Sequence, residues 1–232
     1  MVKAGTDSVV WIGAEHHWCR ARAAIVQGQI SRALAPSPTS RLNVRLPALV
    51  MLLFFLGQSF WETRPPENWS EAEIATVRQG SPWAQTVGPT PDVLVWLATA
   101  EPIREAEGEA RLRFKHTEKE PDPDYIEYLT EHGEENFVLA VGYPQLTGLG
   151  NAEEEKRMED ECTMVVGHRT YHIVGHFPPT PSDPVLRLVF PRRVKESDKA
   201  VDFVLYLAGL PFPERQVEFR VKDLLFHGKL SM

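Results

Sequence analysis

Val217-Glu218-Phe219-Arg220-Val221-Lys222 (VEFRVK) alternates strictly between apolar and charged side chains. Successive side chains of a β-strand point to opposite faces of a sheet, so this pattern predicts a strand with one buried and one solvated face. The same period of two recurs from Cys162 onward in short runs separated by Pro, Gly and Asp, which predicts an antiparallel sheet or sandwich. The predicted strands are Cys162–Val166, Thr170–His176, Val185–Phe190, Val201–Leu207, Gln216–Val221 and Leu224–Phe226.

Helix signals dominate the chain between Trp69 and Cys162. Ser70 and Glu73 stand three residues apart, which is the capping-box pattern at the start of a helix. Two apolar runs, Val93–Leu97 and Asn136–Tyr143, predict buried strands. The predicted helices run from Ser70 to Gly80, from Pro102 to about Phe114, from Asp122 to Gly133 and, capped by Asn151, from Ala152 to Asp160. The fold class is therefore α+β, with N-terminal helices packed on a C-terminal, mainly antiparallel β-sheet or sandwich.

The apolar run Leu46–Leu56 (LPALVMLLFFL) contains no charged residue. Arg45 precedes it, and the small residues Gly57 and Ser59 follow it. A basic segment, an apolar core of ~7–15 residues and a small-residue exit are the parts of a secretory signal peptide. The sequence thus predicts an exported protein, periplasmic or secreted, with signal cleavage between Ser59 and Phe60.

The predicted domain organisation follows from this leader. Residues 1–45 form a basic segment, whose length suggests that translation starts nearer Val44 than Met1. Residues 46–59 hold the apolar core and the cleavage region, residues 60–68 form a tether, and residues 69–232 form a single α+β domain. The alternative is a single-pass anchor through residues 46–61, in which case alone the protein would contact a membrane. That segment is shorter than the ~20 residues that a spanning helix needs, so cleavage is preferred.

The charge of the chain is divided unequally. The whole sequence has a net charge of −7, but residues 1–59 hold six bases and two acids. Residues 60–232 therefore hold 19 bases and 30 acids, a net charge of −11. A surface this acidic repels a phosphate backbone, so nucleic-acid binding is excluded as a predicted function.

Three histidines, His168, His172 and His176, recur every four residues in GHRTYHIVGH. On a helix this spacing would let two of them share a metal ion, but Gly167 and Gly175 disfavour a helix, and Tyr171, Ile173 and Val174 favour a strand. Strand residues advance ~3.3 Å each, so neighbouring histidines would lie ~13 Å apart, too far for one ion. No metal site and no cofactor are therefore predicted.

Cys162 is the single cysteine that remains once the leader with Cys19 is removed. Its apolar neighbours predict a small buried side chain without an intrachain disulfide. The sequence has no G-x-S-x-G, G-x-x-x-x-G-K-[ST] or G-x-G-x-x-G motif, so no catalytic residue is predicted from a motif.

Five short stretches between Trp69 and Leu230 resemble a group of uncharacterised exported bacterial proteins found mainly in acidobacteria. They are Trp69-Ser70, Ser81-Pro82-Trp83-Ala84, Phe190-Pro191-Arg192, Val221-Lys222-Asp223-Leu224 and Gly228-Lys229-Leu230. The resemblance implies a secreted domain and carries no catalytic role onto these positions. Lys222-Asp223 and His227-Gly228 are typical of turn or bulge positions in a terminal hairpin.

Two functions remain open at this point. The first is a non-enzymatic, envelope-associated or interaction module with an envelope protein as its possible partner. The alternative is a periplasmic or secreted hydrolase whose site combines a carboxylate from the front half with a histidine. The candidate histidines for that site are His168, His172, His176 and His227.

Overall fold

The computed structural model describes residues 59–115, 118, 120–142, 152–181 and 183–232. The apolar core of the predicted signal peptide and the predicted helix cap Asn151 lie outside these residues. Within the described ranges, no helix combines the length and the apolar character that a membrane crossing requires. The α+β class predicted from the sequence is confirmed by the helices and antiparallel strands that follow.

The first sheet contains five antiparallel strands in the spatial order β1-β2-β3-β7-β6. Its strands are β1 (Ala84–Val87), β2 (Val93–Leu97), β3 (Asn136–Gly142), β6 (Gly175–Phe177) and β7 (Val185–Pro191). The central pair is β3 and β7, which are in register from Asn136 opposite Pro191 to Gly142 opposite Val185. Both strands are buried at their five central residues, so the two faces of this sheet are covered.

The second sheet contains four antiparallel strands in the order β5-β4-β8-β9. Its strands are β4 (Thr163–Val166), β5 (Arg169–His172), β8 (Ala200–Tyr206) and β9 (Glu214–Arg220). The alternation that predicts β9 is realised in full, since every second residue from Arg215 to Phe219 is buried and the others are exposed. A terminal hairpin of β10 (Leu225–Phe226) and β11 (Lys229–Leu230) turns at His227 and Gly228, whose φ angles are 49° and 75°. Two successive positive φ angles are typical of a type I′ turn, and the sequence predicts a turn or bulge at these two residues. Lys222-Asp223, predicted to be turn or bulge positions of the same hairpin, belong instead to a 3-10 helix at Val221–Asp223 that precedes it.

Five α-helices accompany the sheets in the described part of the chain. They are α1 (Phe60–Thr63), α2 (Glu71–Gly80), α3 (Glu101–Arg113), α4 (Pro123–His132) and α5 (Ala152–Glu161). The predicted capping box starts α2: the Glu73 amide donates to Ser70 Oγ at 3.3 Å, and the Ser70 amide donates to Glu73 Oε2 at 2.8 Å. Helix α2 packs against α3 and β1 through Ile74 and Val77.

Phenylalanine rings join the two sheets into one core. Phe137 and Phe190 stack within the first sheet, with ring centroids 6.0 Å apart. Phe190 meets Phe203 of the second sheet edge to face at 5.1 Å, and Phe203 meets Phe219 at 6.0 Å. All four rings are fully buried, so the main core extends continuously from one sheet to the other.

The opposite face of the first sheet is covered by α4. Val138, Ala140 and Val189 point to this side, where they form a smaller apolar cluster with Tyr125 of α4. Alternation along β3 thus divides its side chains between two cores, because Phe137, Leu139 and Val141 belong to the main one.

Residues 60–68, the segment predicted to be a tether, hold α1 and a short 3-10 helix at Pro66–Asn68. Phe60 and Trp61 pack against the main core. Their rings make edge-to-face contacts with the buried Trp69 and Trp83 at 5.7 and 6.0 Å. The apolar rings bring this segment onto the domain, although its prolines and charges are typical of a linker.

Two sequence predictions about strands are corrected. Thr170–His176 is not one strand, because the chain leaves the second sheet after His172 and joins the first at Gly175. Only Ile173 and Val174 separate the two strands, and the amide of Val174 already donates to the carbonyl of Val189 in β7 at 2.8 Å. The edge strand β1, which is absent from the predicted strands, pairs with β2 from Ala84 opposite Trp96 to Val87 opposite Val93.

Candidate functional site

A groove of about 940 Å³ lies between α3 and α4. Its floor includes Ala98 and Tyr125, which belong to the small apolar cluster of the first sheet. Helix α3 contributes charged side chains to one wall, and α4 contributes Ile126 and Leu129 to the other. The volume lies within the range of ~300–1,000 Å³ that is typical of ligand sites.

Glu107 is a partly buried charged residue of this groove. It lies four residues after Ile103 and three before Ala110, both buried in the main core, so the helical period places it at the edge of the buried face of α3. The indole Nε1 of Trp96 donates to Glu107 Oε1 at 3.2 Å, and Arg111 Nη1 lies 3.8 Å from Glu107 Oε2. The Glu107 side chain is still 28% exposed, because the groove gives solvent access to the carboxylate.

Burial raises the pKa of Glu107 above its ordinary value. Arg111, Arg78 and Arg187 oppose this effect by favouring the ionised form, and desolvation remains the larger cause. The carboxyl group therefore holds its proton more firmly than a surface glutamate does. A carboxyl group with a raised pKa in a solvent-accessible groove is typical of binding and catalytic sites.

A buried ion pair supports the floor of the groove. Arg187 Nη1 of β7 lies 2.7 Å from Asp183 Oδ2, and both residues are 8% exposed. The Arg187 guanidinium stacks over the ring of Tyr125 with its carbon 4.4 Å from the ring centroid. Burial raises the pKa of Tyr125 to about 12, so its hydroxyl stays protonated. These contacts fix the position of Tyr125 in the first turn of α4.

Further charges line the groove at its rim. Arg104, Glu101 and Glu134 are exposed there, and the exposed fraction of Ile126 is 46%. Burial and the nearby Glu101 raise the pKa of Glu105. Charges of both signs thus surround an apolar floor, which suits a ligand with apolar and polar groups of both signs.

The four histidines of the hydrolase alternative lie apart from this groove. His168 and His172 are exposed on the hairpin of β4 and β5. His176 lies in β6 of the other sheet, with Nε2 3.0 Å from Glu155 Oε1 and Nδ1 3.4 Å from Glu159 Oε1. His227 Nδ1 lies 3.4 Å from Glu62 Oε2.

The carboxylates at His176 come from α5, whereas Glu62 at His227 comes from the front half of the chain. None of these histidines belongs to the described lining of the groove. In the ranges that the structure describes, no group of three or more His, Cys, Asp or Glu side chains is arranged to hold a metal ion.

Cys162 is buried in the main core beside Tyr206. Its Sγ accepts a hydrogen bond from the Tyr206 amide at 3.3 Å. Burial raises the pKa of the thiol to about 12, so the group is protonated and unreactive. The side chain behaves as the small buried residue that the sequence predicts.

The predicted cleavage pair, Ser59 and Phe60, lies where the described chain begins. Ser59 precedes α1, and its carbonyl accepts from the Glu62 amide at 3.0 Å. Among the residues that the structure describes, Phe60 is the first whose ring packs on the domain.

Sequence reasoning did not identify Glu107, Tyr125 and Arg187 as members of a site. Two signals were present: Glu107 falls between the apolar positions of α3, and Arg187 is a lone charge within an otherwise apolar run. Their meeting depends on the antiparallel sheet and on the position of α4, which local patterns do not encode.

Family models, curated proteins and solved structures were all compared with the chain, and none of them matches it.

Proposed function

We propose that this protein is an exported, non-enzymatic binding module of the bacterial envelope and that the groove between α3 and α4 is its ligand site. The observation that carries the proposal is Glu107, a carboxyl group with a raised pKa at the base of an open groove. Burying a carboxylate costs free energy that hydrogen bonds and ion pairs must offset, and groups kept at such a cost cluster at functional sites.

The composition of the groove favours binding over catalysis. The groove offers apolar contact area through Ala98 of its floor and through Ile126 and Leu129 of its α4 wall, and its charged rim offers orientation through Arg104 and the glutamates. Nucleophilic catalysis usually places a nucleophile beside a general base, and the described lining of the groove brings no histidine or cysteine to Glu107.

Export is proposed from the sequence. The uncharged run 46–56, its basic flank and the small residues before Phe60 have the layout of a signal peptide. The resemblance to exported acidobacterial proteins agrees with this destination. An acidic body with net charge −11 after residue 59 suits a partner protein of the envelope better than a polyanion.

A thermal-shift screen of the full protein against short peptides and oligosaccharides tests the ligand site. Ligands of the groove are expected to raise the melting temperature of the natural protein and to lose this effect in Ile126→Ser and Glu107→Gln. Glu127→Ser is the matched control, since Glu127 is the exposed neighbour of Ile126 on α4 and lies outside the described lining. An equal shift in Ile126→Ser and Glu127→Ser would contradict the assignment of the groove.

Fractionation of cells that express the full chain tests export. The protein is expected in the periplasm or medium, and sequencing of its N-terminus is expected to begin at Phe60. Replacing Ser59 with a bulky residue (Ser59→Trp) is expected to block cleavage, because the processing enzyme requires a small residue there. Recovery of the uncleaved chain in the cytosol would refute the exported state.

One contact favours the hydrolase alternative. The distance of 3.0 Å between His176 Nε2 and Glu155 Oε1 is that of a general base oriented by a carboxylate. If His176 acts in this way, His176→Gln abolishes the hydrolysis of ester and amide substrates while the melting temperature changes little. Absence of any hydrolysis by the natural protein over a broad substrate panel contradicts this function.

A further inference from the structure

Two proline-containing loops lie side by side at one end of the sheets. The first, residues 88–92 (GPTPD), joins β1 to β2, and the second, residues 207–213 (LAGLPFP), joins β8 to β9. We call them together the paired loops. Arg215 of β9 holds both, although it is a charged residue with only 3% of its surface exposed.

Hydrogen bonds from Arg215 connect the loops directly. Its Nη2 donates to the carbonyl oxygens of Pro89 and Pro91 at 3.1 and 3.3 Å. Its Nη1 donates to the carbonyl of Glu214 at 2.9 Å and also to that of Phe212. One guanidinium therefore fixes the backbone of both loops, and the fork of Arg suits this role because its donors have a rigid geometry.

Phe212 is presented to solvent by this arrangement. The exposed fraction of its side chain is 59%, in contrast to the fully buried Phe203 and Phe219 of the same sheet. Single exposed apolar residues are common and need no explanation. Phe212 differs because its carbonyl is tied to a buried cation and because Pro211 and Pro213 restrict the backbone on both sides.

A rigid exposed aromatic side chain is favourable for binding another protein. Aromatic anchors contribute much of the energy of protein interfaces, and a fixed loop loses little conformational entropy when it docks. Two exposed acidic residues directly follow prolines of the paired loops: Asp92 follows Pro91, and Glu214 follows Pro213. Exposed acidic residues in and next to the paired loops disfavour insertion into an anionic lipid surface and favour a basic partner surface.

We propose that the paired loops form a docking surface for a partner protein that receives Phe212 in an apolar pocket rimmed by Lys or Arg. This surface is independent of the groove between α3 and α4, since the described linings of the groove and the residues of the paired loops have no member in common. The partner would satisfy the acidic side chains at its rim and cover the phenyl ring at its centre.

Photo-crosslinking of the full chain in its native host tests the surface. Phe212 is replaced by the photoreactive residue p-benzoyl-phenylalanine, which keeps the aromatic ring. The matched control carries the same residue at Leu112 of α3, a side chain with 65% exposure. We expect a discrete protein adduct from position 212 and none from position 112, with the attached peptide of the partner containing Lys or Arg.

Charge reversal separates this surface from adventitious contact. Asp92→Lys combined with Glu214→Lys is expected to lower the yield of the adduct about tenfold or more. Melting of this variant checks that the fold is kept. No adduct, an adduct to lipid or to a second copy of the chain, an equal yield from position 112, or a yield unchanged by charge reversal would each overturn the proposal.

Discussion

Glu107 lowers the stability of the folded protein when its carboxyl group is ionised, because the group is partly buried. Because burial raises its pKa, the folded protein binds its proton more tightly than the unfolded chain does. Stability contributed by the neutral form is therefore lost as the pH rises from the ordinary value of 4.5 through the raised value. We expect Glu107→Gln, which keeps an acceptor for Trp96, to melt at a higher temperature than the natural protein at pH 7.

Melting curves at several pH values check this sign. The advantage of Glu107→Gln over the natural protein is expected to shrink as the pH falls toward and below 4.5, because the natural carboxyl group then becomes protonated. Glu109→Gln serves for comparison, because Glu109 forms an ion pair with Arg113 one turn later in α3. Loss of this pair is expected to lower the free energy of unfolding slightly, by ~0.3–0.5 kcal/mol. A lower melting temperature for Glu107→Gln at neutral pH would show that the carboxylate stabilises the fold.

Cys162 yields a second prediction about one side chain. A rise of the thiol pKa from 9.0 to about 12 reduces the thiolate fraction at neutral pH roughly a thousandfold. In a Cys19→Ser variant of the full chain, Cys162 is therefore expected to resist iodoacetamide until the protein is unfolded. Mass spectrometry with and without urea measures the labelling. Rapid alkylation of the folded protein would contradict the burial of this thiol.

At the scale of elements, the start of α2 depends on Glu73. Hydrogen bonding from the Ser70 amide, with help from Arg64, lowers the pKa of Glu73 from 4.5 to about 2. A lowered pKa contributes stability that is present above pH 4.5 and is lost as the pH falls toward 2. We therefore expect Glu73→Gln to melt at a lower temperature than the natural protein at pH 7 and at an equal temperature near pH 2.

Circular dichroism melts at the two pH values measure this difference. Glu71→Gln is the control: it lies in the same first turn and takes no part in the capping box. Its effect is expected to be smaller, because it removes only the interaction with the helix dipole. Equal melting temperatures of Glu73→Gln and Glu71→Gln at pH 7 would show that the reciprocal hydrogen bonds of the capping box do not stabilise the protein.

Elements with local signals are the ones that the sequence predicts. The capping box at Ser70, the proline at the start of α3 and the alternation of β9 are all encoded within a few residues. Strand β1 (AQTV) has no such signal, since its hydrogen bonds to β2 define it. The sequence also does not predict the break between β5 and β6, because strand propensity is the same whether a segment stays in one sheet or crosses to another.

At the scale of the whole molecule, the groove depends on three distant segments. Glu107 comes from α3, Tyr125 from α4, and Arg187 from β7, which reaches α4 because it pairs with β3. Sequence patterns predict each of these elements separately but do not indicate how they are arranged relative to one another. The histidines are the opposite case, since they are neighbours in the sequence, yet the structure distributes them between two sheets.

The continuous core predicts that both sheets unfold together. Phe203 of the second sheet is fully buried against Phe190 of the first, so Phe203→Ala is expected to cost about 3–5 kcal/mol of unfolding free energy. The tryptophans after residue 59 all lie between Trp61 and Trp96, so their fluorescence reports on the helical front and the first sheet, whereas circular dichroism reports on all elements. The urea-unfolding transition of Phe203→Ala is expected to shift equally in fluorescence and in circular dichroism, because one cooperative unit contains the mutated ring and the tryptophans.

Val204→Ala is the control, at the adjacent position, whose side chain is 41% exposed. It is expected to change the free energy of unfolding by no more than ~0.5 kcal/mol. If Phe203→Ala moved only the circular dichroism transition, the phenylalanine contacts would not couple the two sheets, and each would be a separate folding unit.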